Sequence, residues 1–245
     1  MPKGFYFLIG AQFASGLADN ALLILGIYFL NEQGYPGWWA PLLKFSLTLA
    51  YVVLASLVGP LSDAFPKNRL MAYMNALKMV GVVMLLLGVQ PLYAFALIGL
   101  AASVYAPSKY GLATESVEPR LLVRANAWLE VSVVLSVVLG IALGGALTGL
   151  TQSGLAAEFV DLFSFSAGVL IQTQTLPAMA LVLCVYLSAA ALNFGLQPMR
   201  RRVTMVPLTW QSVRWGTFWR ANQRLWRDPL GGVSLYVTTL YWGVG

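Results

Sequence analysis

The chain has 245 residues, 59% of them hydrophobic and 10% charged, with a mean hydropathy of +0.74. Soluble domains carry about 25% charged residues, so this composition excludes a water-solvated globular surface and points to an integral membrane protein. The net charge of +6 does not imply nucleic acid, because seven of the fifteen basic residues cluster between Arg200 and Arg227 and the rest are scattered or set in apolar runs.

A membrane-spanning helix needs about 20 apolar residues. The first such run is Phe5–Leu30; it continues past the small residues near Ala18, which suits a span better than a cleaved leader. "NEQGYPGWW" follows as a turn with Trp38 and Trp39 at the interface. The second span is read from Pro41 to Ala64, and "DAFPKNR" as a short basic turn. The third runs from Leu70 to Val89, closed by a tight turn at Gln90 and Pro91. The fourth runs from Leu92 to Leu112, followed by the polar segment "TESVEPRLLVR". The fifth runs from Ala125 to Leu150, and a longer loop with a short helix around "EFVDLF" (158–163) leads to the sixth, Leu176–Leu196. A basic linker over 198–229 precedes a seventh run starting near Gly231, which stops at "YWGVG", too short to span comfortably. The expected organisation is therefore all-α and polytopic. A six-helix bundle over 1–197 is followed by a cytoplasmic linker over 198–229 and the start of a second half over 230–245, so the chain reads as truncated.

Lys67, Arg69, Arg120, Arg124 and the Arg200–Arg227 cluster follow spans two, four and six. The loops after spans one, three and five hold Glu32, Glu158 and Asp161 but no Lys or Arg, with Lys44 a mild exception. This bias predicts a cytoplasmic N-terminus and linker.

No histidine is present, which excludes Ser-His-Asp, Cys-His and histidine-ligated zinc chemistry in this segment. The single Cys184 cannot form an internal disulfide and is read as core packing. No cofactor or metal is expected.

Ionisable residues inside spans are rare and mark functional positions. Four occur here, Asp19, Lys78, Lys109 and Glu130, and their formal charges cancel. At about 1.5 Å rise per residue, Asp19 and Lys78 fall at similar mid-depth and are expected to meet. Lys109 and Glu130 fall within about two turns of the inner face and are expected to form a second pair. Either pair serves transport or locks the bundle. In "YAPSKYG", Pro107 and Gly111 suggest a bend beside Lys109. In "GIALGGALTG", glycines at 140, 144, 145 and 149 allow close helix packing. In "WQSVRWGTFWRANQRLWR", Arg220, Arg224 and Arg227 share one helical arc. Trp215, Phe218, Trp219 and Leu225 lean to another, and Arg214 breaks the pattern. Such a helix suits either an anionic leaflet or a solvated connector.

"GPLSDAFPKNR" at 59–69 resembles the signature of the major facilitator superfamily through Gly59, Leu61, Ser62 and Asp63. It departs at Ala64 and in lacking the later glycine, while Lys67 and Arg69 supply the trailing charge. The resemblance implies close helix contact at Gly59 and a charge relay at Asp63. That relay is expected to involve Arg69, Arg120 or Arg124, with Pro107 and Glu115 as further gate candidates. "AQFASGLADNALL", "GPLSDAFPKNRLMAYMNALKMVG", "VYAPSKYGLATE" and "VRANAWLE", in this order, resemble the bacterial lysophospholipid transporter family (LplT type), most closely over residues 8–135. That resemblance implies a transporter and not an enzyme. It implies a flippase of the bacterial inner membrane that moves lysophosphatidylethanolamine and lysophosphatidylglycerol inward. Re-acylation there falls to a partner acyl-acyl carrier protein synthetase/acyltransferase. Asp19, Asn20, Lys78, Lys109, Glu115 and Glu130 lie in the family-like blocks. By chemical complementarity, Asp19 and Asn20 suit a substrate ammonium and hydroxyl, and Lys78 and Lys109 a phosphate. A drug or small-metabolite carrier of the same superfamily is the alternative. It is disfavoured by the absence of Arg between Leu92 and Ala106 and by Gly145, where antiporters carry proline. A non-transporting scaffold is the third reading.

Overall fold

The computed structural model describes residues 1–152, 175–195 and 207–244. The expected helix around 158–163, the acids Glu158 and Asp161, Arg200–Arg202 and the boundary at 197/198 lie outside these residues. The described chain is helical throughout: α1 (Lys3–Glu32), α2 (Trp39–Val53), α3 (Ala55–Ala64), α4 (Lys67–Leu86), α5 (Pro91–Ser116), α6 (Leu122–Gln152), α7 (Leu176–Gly195), α8 (Trp210–Val213), α9 (Trp215–Arg227) and α10 (Pro229–Val244). A single tighter turn, Pro119–Leu121, joins α5 to α6. Among the described residues five helices are long and apolar enough to cross a membrane, or six if α2 and α3 count as one bent span.

That bend corrects one expectation. Pro41–Ala64 reads as one continuous span, but the helix breaks at Leu54 and turns by 67°. Leu54 closes α2 through its own N–H and opens α3 through its carbonyl. Pro60 weakens the α3 side, since it cannot donate to the Ser56 carbonyl. The other ends follow local chemistry: Gly34 and Gly88 take φ of +75° just after α1 and α4, where glycine terminates a helix without strain. Pro91 sits in the first turn of α5, where its missing N–H costs nothing.

Helix α1 is the centre of the bundle, flanked chiefly by α6 and α7; α5 bridges α2 and α4, and α4 also lies along α7. Small residues set the closest approaches. A Cβ on Gly140 or Gly144 would fall 2.7 Å from the Leu17 carbonyl oxygen or 2.9 Å from that of Ala21, so α1 and α6 touch backbone to backbone. Gly145 and Gly149 face open space, so the tight seam uses two of the four glycines. Gly99 plays the same part between α5 and α2, 2.5 Å from the Leu47 carbonyl oxygen on the same measure.

Two larger apolar clusters result, beside a small one at Val58, Leu70 and Val104. One, toward the Trp38–Trp39 end, is built on Leu22, Leu25, Phe29, Val82, Phe95 and Val182. The other, toward the basic end with Lys67 and Arg69, is built on Phe5, Leu8, Met71, Leu112, Ala125 and Leu129. Buried polar side chains lie between them along the same helices: Gln12 and Ser15 on α1, Asn75 and Lys78 on α4, Ser132 and Ser136 on α6. Cys184 is exposed, contrary to expectation. The buried face of α7 runs through Met179, Val182, Tyr186 and Asn193, and Cys184 points away from it. A groove of about 460 Å3 opens between Ser56 of α3 and Trp210, Arg214 and Trp215, away from the central charges.

Candidate functional site

Asp19 and Lys78 meet as their heights predict. Lys78 Nζ lies 2.7 Å from Asp19 Oδ2 and also donates to Ser15 Oγ at 3.0 Å. The Ser15 hydroxyl in turn donates to Asn75 Oδ1 at 2.8 Å. The second carboxylate oxygen, Asp19 Oδ1, accepts from the Tyr186 hydroxyl at 2.7 Å. The ammonium also faces the rings of Tyr105 and Tyr186, at 5.0 and 5.7 Å from their centroids, within the range of a cation–π contact. Four helices thus converge: α1 supplies Ser15 and Asp19, α4 supplies Asn75 and Lys78, α5 supplies Tyr105 and α7 supplies Tyr186.

The pair is asymmetric. The Lys78 side chain is 1% exposed and that of Asp19 31%. Asp19 is the member that a ligand can approach, and Lys78 is its counter-ion from behind. Asn20 does not join them: its amide donates to the Gly16 carbonyl of its own helix at 2.8 Å and its Cβ lies under Gly140.

Lys109 and Glu130 do not form the expected direct pair. No carboxylate lies within 4.0 Å of Lys109 Nζ among the described residues; the ammonium sits 4.8 Å from the Tyr110 ring centroid. Glu130 instead accepts from the Tyr110 hydroxyl at 2.8 Å. The reason is rotation about the helix axis: Lys109 points inward and is 8% exposed, whereas Tyr110 and Glu130 lie on exposed faces. Lys109 is therefore a buried cation with no carboxylate in contact.

At the basic end, Asp63 faces Lys67 at 3.6 Å across one helical turn. None of Arg69, Arg120 and Arg124 makes an ion pair among the described residues. The stronger contact is Lys67 Nζ to Glu115 at 2.6 Å, which ties α4 to the end of α5. Gly111 makes it possible, because a Cβ there would fall 2.6 Å from Lys67 Cε. The close contact expected at Gly59 is absent, since a Cβ there would meet open space. The signature instead engages α5 through Ser62, whose hydroxyl lies 3.1 Å from that of Ser108. Helix α5 continues through Pro107 to Ser116. Ser15, Asn75, Tyr105 and Tyr186 were not singled out in the sequence, and Lys67 was read only as the trailing charge of the signature. The available signal was spacing: Gln12, Ser15 and Asp19 share a helix face, as do Asn75 and Lys78.

No protein-family model matches the chain. It is 31% identical, over 99% of its length, to the lysophospholipid transporter LplT of Enterobacter sp. (strain 638), covering 55% of that protein. It is 30% identical to the LplT proteins of Serratia proteamaculans (strain 568) and Yersinia pestis (strain Pestoides F), over 97% and 96% of its length. Its relatives are LplT-type lysophospholipid transporters. The chain spans about half the length of these curated relatives, 52–55%. The blocks around Asp19, Lys78 and Lys109 lie within the aligned length.

Proposed function

We propose that this chain belongs to a lysophospholipid flippase of the bacterial inner membrane, with its N-terminus and basic linker cytoplasmic. It moves lysophosphatidylethanolamine and lysophosphatidylglycerol from the outer to the inner leaflet. The observation that carries this reading is the Asp19–Lys78 pair at mid-depth, with the carboxylate partly open and the cation buried behind it. A zwitterionic head group needs both signs along its path, and an apolar flank for its acyl chain. Asp19 receives the ammonium. Lys109, buried and without a carboxylate contact, is better placed for the phosphate than Lys78, which is already committed to Asp19 and Ser15. Alternating access of the kind used by facilitator-type carriers, with two half-bundles rocking about a midplane site, then carries the head group across. The Lys67–Glu115–Asp63 cluster holds the basic end closed in one state, and Pro107 and Gly111 lie in the segment of α5 that it engages. The inward product is a substrate for re-acylation by an acyl-acyl carrier protein synthetase/acyltransferase at the cytoplasmic face.

The test is leaflet translocation by the full-length protein in proteoliposomes, with both lysolipids and with water-soluble solutes. Asp19→Asn removes a hydrogen bond to a charged group, worth about 1.5–3 kcal/mol, and lowers lysophosphatidylethanolamine flipping about 10- to 150-fold. Lysophosphatidylglycerol, which offers no ammonium, is affected less. Equal loss for both lipids rejects Asp19 as the ammonium partner, and transport of water-soluble solutes with no lysolipid movement rejects the substrate class.

A further inference from the structure

Asn193, on the buried face of α7, is fully buried, and among the described residues neither its carbonyl oxygen nor its amide nitrogen has a hydrogen-bond partner. The Tyr105 hydroxyl on α5 and the Asn75 amide nitrogen on α4 are buried and unpartnered in the same way. These groups form one cluster. The Tyr105 hydroxyl lies within interaction range of Asn193, Ser15 and Asn75, though not in hydrogen-bond geometry. Ser15 and Asn75 are chained to the Lys78 ammonium by hydrogen bonds of 3.0 and 2.8 Å. An unpartnered buried polar atom costs folding free energy that an apolar side chain of similar size would spare. Several such atoms beside a buried cation call for a reason.

The cluster is too enclosed for a lipid head group to enter, but Lys78 is already at its edge. Its ammonium has three N–H donors on a flexible four-carbon stem. It rests against Tyr105, 5.0 Å from the ring centroid, and among the described residues the Tyr105 hydroxyl, and the Asn193 carbonyl beyond it, are acceptors without a hydrogen-bond partner. We infer that Tyr105 and Asn193 are positioning residues that form a second berth for the Lys78 ammonium, taken up when a substrate ammonium occupies Asp19. The inference rests on the reading of Asp19 given above. It answers the difficulty that reading raises: a substrate ammonium that displaces Lys78 from Asp19 strands a buried cation unless another set of acceptors waits for it. Ser15 serves as partner in both positions. Lysophosphatidylglycerol, with no ammonium, leaves Lys78 on Asp19 and does not need the berth.

Two measurements on the full-length protein test this. The first is thermal stability. Asn193→Leu removes unpartnered polar atoms, so in the parent it leaves the melting temperature unchanged or raised. In an Asp19→Ala background Lys78 depends on the berth, and there the same substitution lowers the melting temperature. This reversal of sign is the expected result, and a role confined to packing would not produce it. Should Asp19→Ala fail to fold, the reversal is read in Asp19→Asn; Tyr105→Phe, which keeps the ring against Lys78, provides the second variant. The second measurement is flipping. Asn193→Leu is expected to reduce lysophosphatidylethanolamine movement about tenfold and to leave lysophosphatidylglycerol within about twofold of the parent. Stabilisation by Asn193→Leu in every background, with both lipids flipped at parental rates, overturns the berth even where Asp19→Asn remains selective. Reversal of sign together with equal loss of both lipids in Asp19→Asn retains the berth and overturns the ammonium reading instead.

Discussion

Neutralising the two members of the central pair has unequal consequences, and the inequality follows from their burial. In Asp19→Asn the Lys78 ammonium, 1% exposed, loses its carboxylate and is left in a buried layer with only neutral hydroxyl and amide acceptors and two ring faces. Removing one partner from a buried ion pair costs about 3–5 kcal/mol. In Lys78→Gln the stranded group is Asp19, which is 31% exposed and keeps its hydrogen bond from Tyr186. Its loss is that of a single charge-assisted hydrogen bond, about 1.5–3 kcal/mol, with solvent offsetting part of it. The expected gap is about 2 kcal/mol, read as a difference in melting temperature of at most about 4 °C in a chain of this size. The assay is thermal unfolding of detergent-purified full-length protein, with the double variant Asp19→Asn/Lys78→Gln closing the cycle. The double variant recovers most of the Asp19→Asn loss, because no charge is left stranded. A Lys78→Gln loss equal to or greater than that of Asp19→Asn refutes the argument, as does a double variant that loses the sum of the two.

Three further outcomes are expected. Glu115→Gln breaks the 2.6 Å contact with the buried Lys67 and lowers stability by about 1–3 kcal/mol, whereas Asp63→Asn touches a 3.6 Å pair whose carboxylate is 63% exposed and costs under about 1 kcal/mol; paired thermal melts check the order. Gly99→Ala drives a methyl against the Leu47 backbone oxygen and costs about 3 kcal/mol, at the upper end for overpacking, while Gly145→Ala meets open space and is neutral or stabilising by up to about 1 kcal/mol; expression yield and melting temperature separate them. In a Cys184→Ser background, single cysteines at Gln33 and Glu118 label from opposite sides of the membrane with an impermeant thiol reagent, and labelling from the same side refutes the proposed topology.

Hydropathy and charge located most of this fold. The runs around α1, α4, α5, α6 and α7 agree with the observed helices to within a few residues at each end, because each is bounded by a glycine, a proline or a polar turn visible in the chain. The bend at Leu54 was not legible. "AYVVLASLVG" carries no charge, glycine or proline before Gly59, and Pro60 lies six residues past the break. The site was legible in part for a related reason. Rise along a helix is a count of residues, so the common height of Asp19 and Lys78 could be read directly. Rotation about the axis is not so easily read once two helices must be matched. Lys109 and Glu130 share a height but lie on different faces, and Tyr110 stands in the contact that height alone assigned to Lys109. Tyr186 and Asn193 were passed over because tyrosine and asparagine in an apolar run announce nothing until a buried partner is known.

The placement of the polar residues also says where this bundle is free to change. Above and below the Asp19–Lys78 level, α1 is fixed by dry apolar packing, against Val82, Phe95 and Val182 on one side and Met71, Ala125 and Leu129 on the other. Its seam with α6 is backbone on backbone at Gly140 and Gly144. Such contacts do not deform gradually, so α1 and α6 are best treated as one rigid pair. The layer between the clusters is different in kind. It is held by hydrogen bonds and charge, which can exchange partners without opening a cavity. Its formal charges cancel when Asp19 meets Lys78, and they still cancel when a substrate ammonium and phosphate enter together, because the zwitterion brings no net charge. On the proposed function, a zwitterionic head group is accommodated at mid-depth by re-pairing within this layer, while the apolar clusters on either side stay intact.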